Sequence, residues 1–451
     1  MMKKTLIAVA AMGLVMTTSC SKEWLEDYKV DPTRPTDVTE DVLLTSAQAY
    51  YAMASGDVIP RLTSIFMQQM TGTDRQSLAH NRYAQIGEGD FNTPWGDLSY
   101  AGGMYDLNLI IGKTSGNSPH YSGVAKIMMA AYLGNMTDCF GDIPYSQAFQ
   151  GEDNLQPVFD SQEDIYNSIF TLLDEGVAEC GAASSTRSPG SDDLLYGGDM
   201  ASWVKFAYGL KARYLNHLSE TAGYSAADVI AACDNSFTGG DDAIFNFGSS
   251  ANQANPWYQF TQVDRNGYMS QFGYMYDHMA NMNDPRIDLY KDASDSTLMV
   301  FWGGSATSPQ PWMTNFELLF IRAEAEQRRG GDPTATLVAA ISENMDFVGV
   351  AAADRDAYVA GMAGADLQKV MEEKYVAMFS QSESWTDWRR TGYPALTVYP
   401  GANLVDIPRR LPYPQDEYLY NSSNVPMPLS ASPDEKFGTD AGGTYKLWWD
   451  Q

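Results

Sequence analysis

Thr314-Asn315-Phe316-Glu317-Leu318-Leu319-Phe320-Ile321-Arg322-Ala323-Glu324-Ala325-Glu326-Gln327-Arg328-Arg329 reads as one helix, and a second helical run follows from Pro333 to Val348. Glu317 and Glu324 are seven residues apart and therefore share a face. The same apolar periodicity predicts helices over 42–55, 59–70, 95–113, 121–137, 161–178, 200–219 and 366–379. The helix at 161 opens on a capping-box arrangement, Ser161-Gln162-Glu163-Asp164. Candidate strands are few and short. Two pairs stand out, 121–137 with 161–178 and 314–329 with 333–348. Stacked pairs of this kind predict an all-α, tetratricopeptide-like helical solenoid, and the lack of a clean 34-residue period makes its units degenerate.

Two long stretches escape the periodicity. Residues 71–93 are rich in Gly, Asn, Asp and Arg, and 238–311 are irregular and dotted with Trp257, Tyr258, Phe260 and Trp302. Loops of this length inside a compact body are usually functional or mobile. The proline-rich end of the chain, 393–451, reads as a long segment wrapping the body.

The N-terminus has the pattern of an export signal. Lys3 and Lys4 precede a short, mostly apolar stretch from Thr5 to Met16, and Thr17-Thr18-Ser19 lead into Cys20. A cysteine at the cut predicts bacterial lipoprotein processing, with the Cys20 thiol acylated, although Thr17 stands where such signals usually carry Leu. The expected organisation is a leader over 1–19, a lipid-anchored tether over 20–38 and a folded domain over 39–451. The leader is shorter than the roughly 20 apolar residues of a membrane span.

Composition excludes some functions. The net charge of -28 becomes -30 when Lys3 and Lys4 leave with the leader. A body this acidic repels phosphates and anionic lipid head groups, which argues against nucleic acid as a partner. With Cys20 acylated, Cys139, Cys180 and Cys233 remain, an odd set at irregular spacing and the pattern of small core residues. No metal-protease, nucleophile-elbow or phosphate-loop motif is present, and His80, His120, His217 and His278 lack ligand spacing. No catalytic residue, metal ligand or cofactor is predicted. Asp284, Asp288, Asp292 and Asp295 lack the spacing of a calcium loop and read as a solvated acidic loop. Ten Trp, 27 Tyr and 18 Phe exceed what an ordinary core needs, and partly exposed rings suit sugars or peptide side chains.

Several blocks remain without catalytic logic: 137–148 (TDCFGDIPYSQA), 159–166 (FDSQEDIY), 203–207 (WVKFA), 283–286 (NDPR), 317–325 (ELLFIRAEA), 383–394 (ESWTDWRRTGYP) and 407–414 (IPRRLPYP). In this order, from Cys20 to the closing Lys446-Leu447-Trp448-Trp449-Asp450, they resemble the SusD/RagB family of outer-membrane nutrient-binding lipoproteins, in its SusD-like branch. The resemblance implies an α-helical tetratricopeptide-like body with long ligand-binding loops, lipid-anchored at the cell surface. It also implies a partner, a SusC-type TonB-dependent transporter barrel, over which the protein would sit as a lid delivering oligosaccharide or oligopeptide. The acidic residues after Cys20 are similar to the signal that sends such lipoproteins to the surface.

The blocks themselves read first as scaffold. Arg389, Arg390, Arg409 and Arg410 are expected to pin the wrapping tail by charge-assisted bonds, with Glu317 and Glu324 as receivers. Trp95 and Tyr100 look like packing residues at a helix start. By resemblance, the ligand site is built from the two irregular stretches. From the first come Asp74, Arg82, Tyr83 and Trp95, and from the second Trp257, Tyr258 and Trp302, with polar groups gripping the ligand and rings stacking on it. The alternatives are a surface lipoprotein that binds or degrades glycan alone, since a hydrolytic carboxylate pair is set by distance in space, and a structural subunit that touches only protein.

Overall fold

The structure, a computed structural model, describes residues 37–114 and 116–450; the predicted leader, Cys20 and the tether up to residue 36 lie outside the described residues. From Glu40 onward the chain forms one compact unit. Its helices are α1 (Glu40–Gly56), α2 (Val58–Phe66), α3 (Arg75–His80), α4 (Tyr105–Thr114), α5 (Pro119–Phe140), α6 (Gln162–Cys180), α7 (Met200–His217) and α8 (Ala226–Asp234). They continue with α9 (Tyr274–Met282), α10 (Asn315–Arg328), α11 (Thr334–Val348), α12 (Ala352–Val359), α13 (Leu367–Ala377), α14 (Glu383–Thr391) and α15 (Gln415–Tyr420).

The two expected pairs are the most intimate contacts of the body, α5 on α6 and α10 on α11. The rest of the stack follows in sequence, with α4 on α5, α6 on α7, α7 on α8 and α8 on α10. This is the predicted all-α solenoid of helix pairs. Glycine sets the closest crossing. A Cβ on Gly123 of α5 would lie 2.8 Å from the Cys180 nitrogen, and one on Gly176 of α6 would lie 2.6 Å from Ile127 Cγ1. Larger residues would push the two axes apart.

Helix starts follow the polar side chains. The Thr314 hydroxyl accepts the Glu317 N–H at 3.3 Å, and the Asp366 carboxylate accepts the Lys369 N–H at 2.9 Å. At α6 the Ser161 hydroxyl accepts the Asp164 N–H at 3.2 Å and donates to Asp164 Oδ2 at 2.6 Å. The cap is therefore present, but Asp164 returns to the hydroxyl and not to the Ser161 N–H. The helix expected over 95–113 is two. A wide π-helical segment, Thr93–Met104, runs into α4 across a break at Gly102. The adjacent Gly103 lies under the Tyr132 hydroxyl, with no room for a side chain.

The strands form two small antiparallel ribbons. β1 (Thr71–Gly72) pairs with β3 (Met269–Ser270), and β2 (Ala243–Phe245) pairs with β4 (Gln310–Met313). The second ribbon closes the base of the 238–311 stretch. The first ties that stretch to 71–93, nearly two hundred residues earlier.

The charged blocks form the interior. Arg213 holds Glu317 through two bonds, at 2.6 and 2.7 Å. Arg390 holds both oxygens of Glu324, at 2.8 and 2.9 Å, and Asp387 at 2.5 Å. Lys374 reaches Asp387 at 2.8 Å. His217 lies between Glu383 (2.9 Å) and Asp138 (3.2 Å). Burial opposes a charge on this imidazole, but the two carboxylates outweigh it and raise its pKa to about 9. Burial likewise opposes ionisation of Glu324, and Arg390 and Arg328 overcome it, holding the carboxyl far below its usual range.

Three of the four tail arginines act as expected. Arg389 donates to the Asp138 carbonyl at 2.6 Å and to the Arg409 carbonyl at 3.0 Å, Arg409 holds Asp450, and Arg410 donates to the Phe140 carbonyl. The Arg389 guanidinium is sandwiched between the rings of Trp385 (3.6 Å) and Trp449 (4.7 Å). Arg390 is received by Glu324, as expected, and thereby locks α14 to α10 and not to the tail. Glu317 departs from the expectation, since its arginine comes from α7. The expected acidic loop also needs correction. Asp288 and Asp295 are exposed, but Asp284 is buried and grips Arg286, which also reaches Glu373 at 2.7 Å. Cys139, Cys180 and Cys233 are separate, buried thiols.

Candidate functional site

The ribbon between β1 and β3 brings the two irregular stretches together, and a cleft of about 390 Å³ opens beside it. Arg61 and Leu62 of α2 line one side, His80, Gln85 and Asp90 of the first stretch another, and Phe260 of the second closes it. This volume lies in the range of small-molecule sites, about 300–1,000 Å³. A smaller pocket of about 70 Å³, lined by Arg213, Glu383 and Asp138, belongs to the charged cluster and is too small for a sugar.

The first stretch is held by its own backbone. Asn81 acts as a clamp, accepting the Gly72 N–H and donating to the Gly72 carbonyl, both at 2.8 Å. Gly72 has no alternative, since a Cβ there would overlap the Ser77 carbonyl. Thr73 donates its N–H to the Tyr268 carbonyl at 2.8 Å. Gln68, Arg75, Tyr83 and Gln85 all have φ between 45° and 58°, in the left-handed region that side chains resist. Strain of this kind is retained where surrounding structure over-determines it, and it gathers at binding sites.

Aromatic rings and cations gather in the cleft and along the neighbouring ribbon. The Arg61 guanidinium sits 4.3 Å over the Phe260 ring while bonding Asp57 at 2.5 Å. Phe260 meets Tyr268 edge-on, with centroids 6.4 Å apart. Arg75 and Arg265 flank the Tyr268 ring at 6.0 and 5.8 Å. Beyond the ribbon, Phe272 and Tyr276 meet at 4.9 Å, and the Lys291 ammonium lies 5.1 and 5.0 Å from their centroids. Burial lowers the His80 pKa, against the pull of Asp90, so its ring is neutral at pH 7. The surface can stack and hydrogen-bond a ligand.

The expected site residues divide into two groups. Asp74 and Arg82 are exposed and Tyr258 is half-buried, all three on the stretches that form the cleft. Asp74 caps α3 through the Arg75 N–H at 2.9 Å. The four other residues are buried. Trp257 is fully buried, and Trp302 stacks on Phe347 inside the body. Trp95 packs among Phe140, Phe159 and Tyr413 and donates to Glu417 at 3.0 Å, while Tyr83 packs edge-on against Phe66. Their faces are covered, because the largest rings have the most area to remove from water and become the loops' own cores. Sequence reading did not single out Arg61, Arg75, Arg265, Tyr268, Phe272, Tyr276 or Lys291. The available signal was an aromatic beside glycine in polar surroundings, as in Asn266-Gly267-Tyr268 and Phe272-Gly273-Tyr274.

Comparison with known proteins agrees with this architecture. The model of a SusD-like family, described as "Starch-binding associating with outer membrane", matches residues 32–300 and 299–414. A SusD/RagB family protein from Bacteroides thetaiotaomicron superposes with a TM-score of 0.74 at 23% identity, covering 92% of this chain and 99% of that one. A chitin-binding protein gives 0.73 at 23% identity, covering 92% and 100%. A chitin-binding SusD homolog from Flavobacterium johnsoniae gives 0.72 at 22% identity, covering 91% and 96%. No curated protein matches the sequence. The family match spans most of the chain, and the solved structures share its helical body from end to end. The chain belongs to the SusD-like family, whose members are non-catalytic nutrient-binding proteins of the outer membrane that pair with a SusC-type transporter.

Proposed function

We propose that the protein is a cell-surface lipoprotein, anchored through acylated Cys20, that captures oligosaccharide at the ribbon cleft and delivers it as a lid to a TonB-dependent transporter barrel. The observation that carries this reading is the cleft itself. Two stretches that the sequence marks as loops converge there, and the Phe260 ring and the Arg61 guanidinium are part of its lining. Oligosaccharide is favoured over oligopeptide because stacking rings edged by hydrogen-bond donors suit sugar faces and hydroxyls. Two proteins of the same fold are named as chitin-binding. Asp74, Arg82 and Tyr258 are the expected residues that remain as ligand contacts.

Capture needs no covalent step. A bound ligand favours the closed lid only by its greater affinity for the closed state. A gentle detergent pull-down through a C-terminal tag, read by mass spectrometry, tests the assignment. Recovery of a large barrel together with bound oligosaccharide supports it. A protein that comes down alone and hydrolyses glycan would establish the stand-alone alternative.

A further inference from the structure

The cations of this protein have two kinds of surroundings. Most arginines of the body are matched by carboxylates, whereas five of the cation–π contacts among the described residues lie on the segment 260–291 and its neighbours Arg61 and Arg75. Arg265 and Lys291 have no ion-pair partner among the described residues, and Arg75 has only a loose contact with Asp74, at 3.7 Å between two exposed side chains. The nearby carboxylates are turned to backbone donors. Asp74 accepts from the Arg75 N–H, and Asp292 accepts from the Ser294 and Asp295 N–H groups at 2.8 and 3.1 Å. Asp264 is the one exposed acid beside Arg265, whose guanidinium donates instead to the Asp264 carbonyl, at 2.9 Å. In a chain of net charge -28, spare cations collected on rings are a placed feature.

Tyr268, with its two arginines, directly precedes β3, and Phe272, with Lys291, lies two residues beyond it, so the two groups are at most about 13 Å apart along the chain. Phe272 is 49% exposed, and Tyr268 and Tyr276 are half-buried. Each group thus offers a ring for a sugar face and a cation for an anionic substituent. Guanidinium groups bind carboxylate and sulfate through directed, charge-assisted bonds.

Building on the capture reading above, we propose that the cargo is an acidic oligosaccharide. It lies across the ribbon, with carboxylate or sulfate groups at Arg75 and Arg265 on one side and at Lys291 on the other. Isothermal titration of the full, detergent-solubilised chain tests this with four probes: size-defined oligogalacturonate, chondroitin sulfate oligosaccharide, neutral malto- and chito-oligosaccharides, and oligoglutamate. Either acidic glycan should bind, more weakly as salt rises, and the arm that responds identifies carboxylate or sulfate. Arg265→Ala with Lys291→Ala should weaken that binding by about ten-fold or more. Arg265→Lys with Lys291→Arg should retain most of it, and the thermal midpoint of both variants should match the parent. Binding of neutral oligosaccharide alone, unaffected by these changes, would overturn the acidic cargo and leave the capture reading standing. Binding of oligoglutamate alone would overturn both it and the glycan assignment. Binding of none of the probes would overturn the acidic cargo, while the pull-down judges the capture reading separately.

Discussion

Arg390 and Arg265 are the same residue in opposite circumstances. Arg390 is buried behind α10, with both oxygens of Glu324 and one of Asp387 in hydrogen-bond contact. Arg265 is exposed on the second stretch, beside a tyrosine ring and without a salt-bridge partner among the described residues. The charged interior spends its side chains on one another, and the ribbon face leaves its own available. A buried ion pair contributes specificity more than net stability, but breaking one strands a charge in the interior. An exposed cation near a ring contributes little to folding and keeps its hydrogen-bonding capacity for a ligand.

The sharpest test of this contrast is Arg390→Ala. Removing one of the cations that hold Glu324 and Asp387, which keep Arg328 and Lys374, should cost the lower end of about 3–5 kcal/mol in urea unfolding, whereas Arg265→Ala should change stability by no more than about 0.5 kcal/mol. Equal losses in the two variants would break the comparison. The next effect is the pH dependence of the interior. His217 has its pKa raised from 6.5 to about 9 on folding. The resulting stabilisation, on the order of 3 kcal/mol, should be fully present below pH 6.5 and disappear as pH rises through about 9. Unfolding free energies measured from pH 6 to 10 should show this decline, and His217→Gln should flatten it. Gly72→Ala should come third. The new methyl group meets the Ser77 carbonyl, so the loop must shift at a cost of about 1–3 kcal/mol. Ligand affinity should fall while far-ultraviolet circular dichroism of the helical body stays unchanged. Phe272→Ala should have the smallest effect on folding, within about 0.5 kcal/mol, although it removes a ring proposed to carry ligand. Thermal melts compared with calorimetric titration would separate the two consequences.

Much of the body was legible because its information is local. Periodicity located α5, α6, α7, α10 and α11 to within a few residues, and Thr314, Ser161 and Asp366 marked helix starts through hydrogen bonds that span only three residues. The short helices α8, α9 and α12 were missed, since each has too few turns for a periodic signal. The site was legible only as a pair of stretches. Which of their aromatics faces solvent depends on the pairing of Thr71 with Ser270, a contact that no local pattern encodes. Composition favoured the tryptophans, yet Trp257 and Trp302 are where the loops bury their area, and the smaller rings of Phe260, Tyr268 and Phe272 were left at the rim. Asp284 misled in the same way, because a loop carboxylate can be committed to an interior arginine.

The ribbon that joins the two loops is made of main-chain atoms. Thr71 pairs with Ser270, Gly72 with Met269, and Thr73 bonds the Tyr268 carbonyl through its N–H. Gly72 is sterically fixed, but the neighbouring rim side chains, Arg75, Arg265, Tyr268 and Phe272, take no part in these backbone bonds. Evolution can therefore rewrite the rim one residue at a time without dismantling the frame that presents it. A lineage facing a new ligand needs only point changes at the surface, and the helical stack beneath can be inherited unaltered.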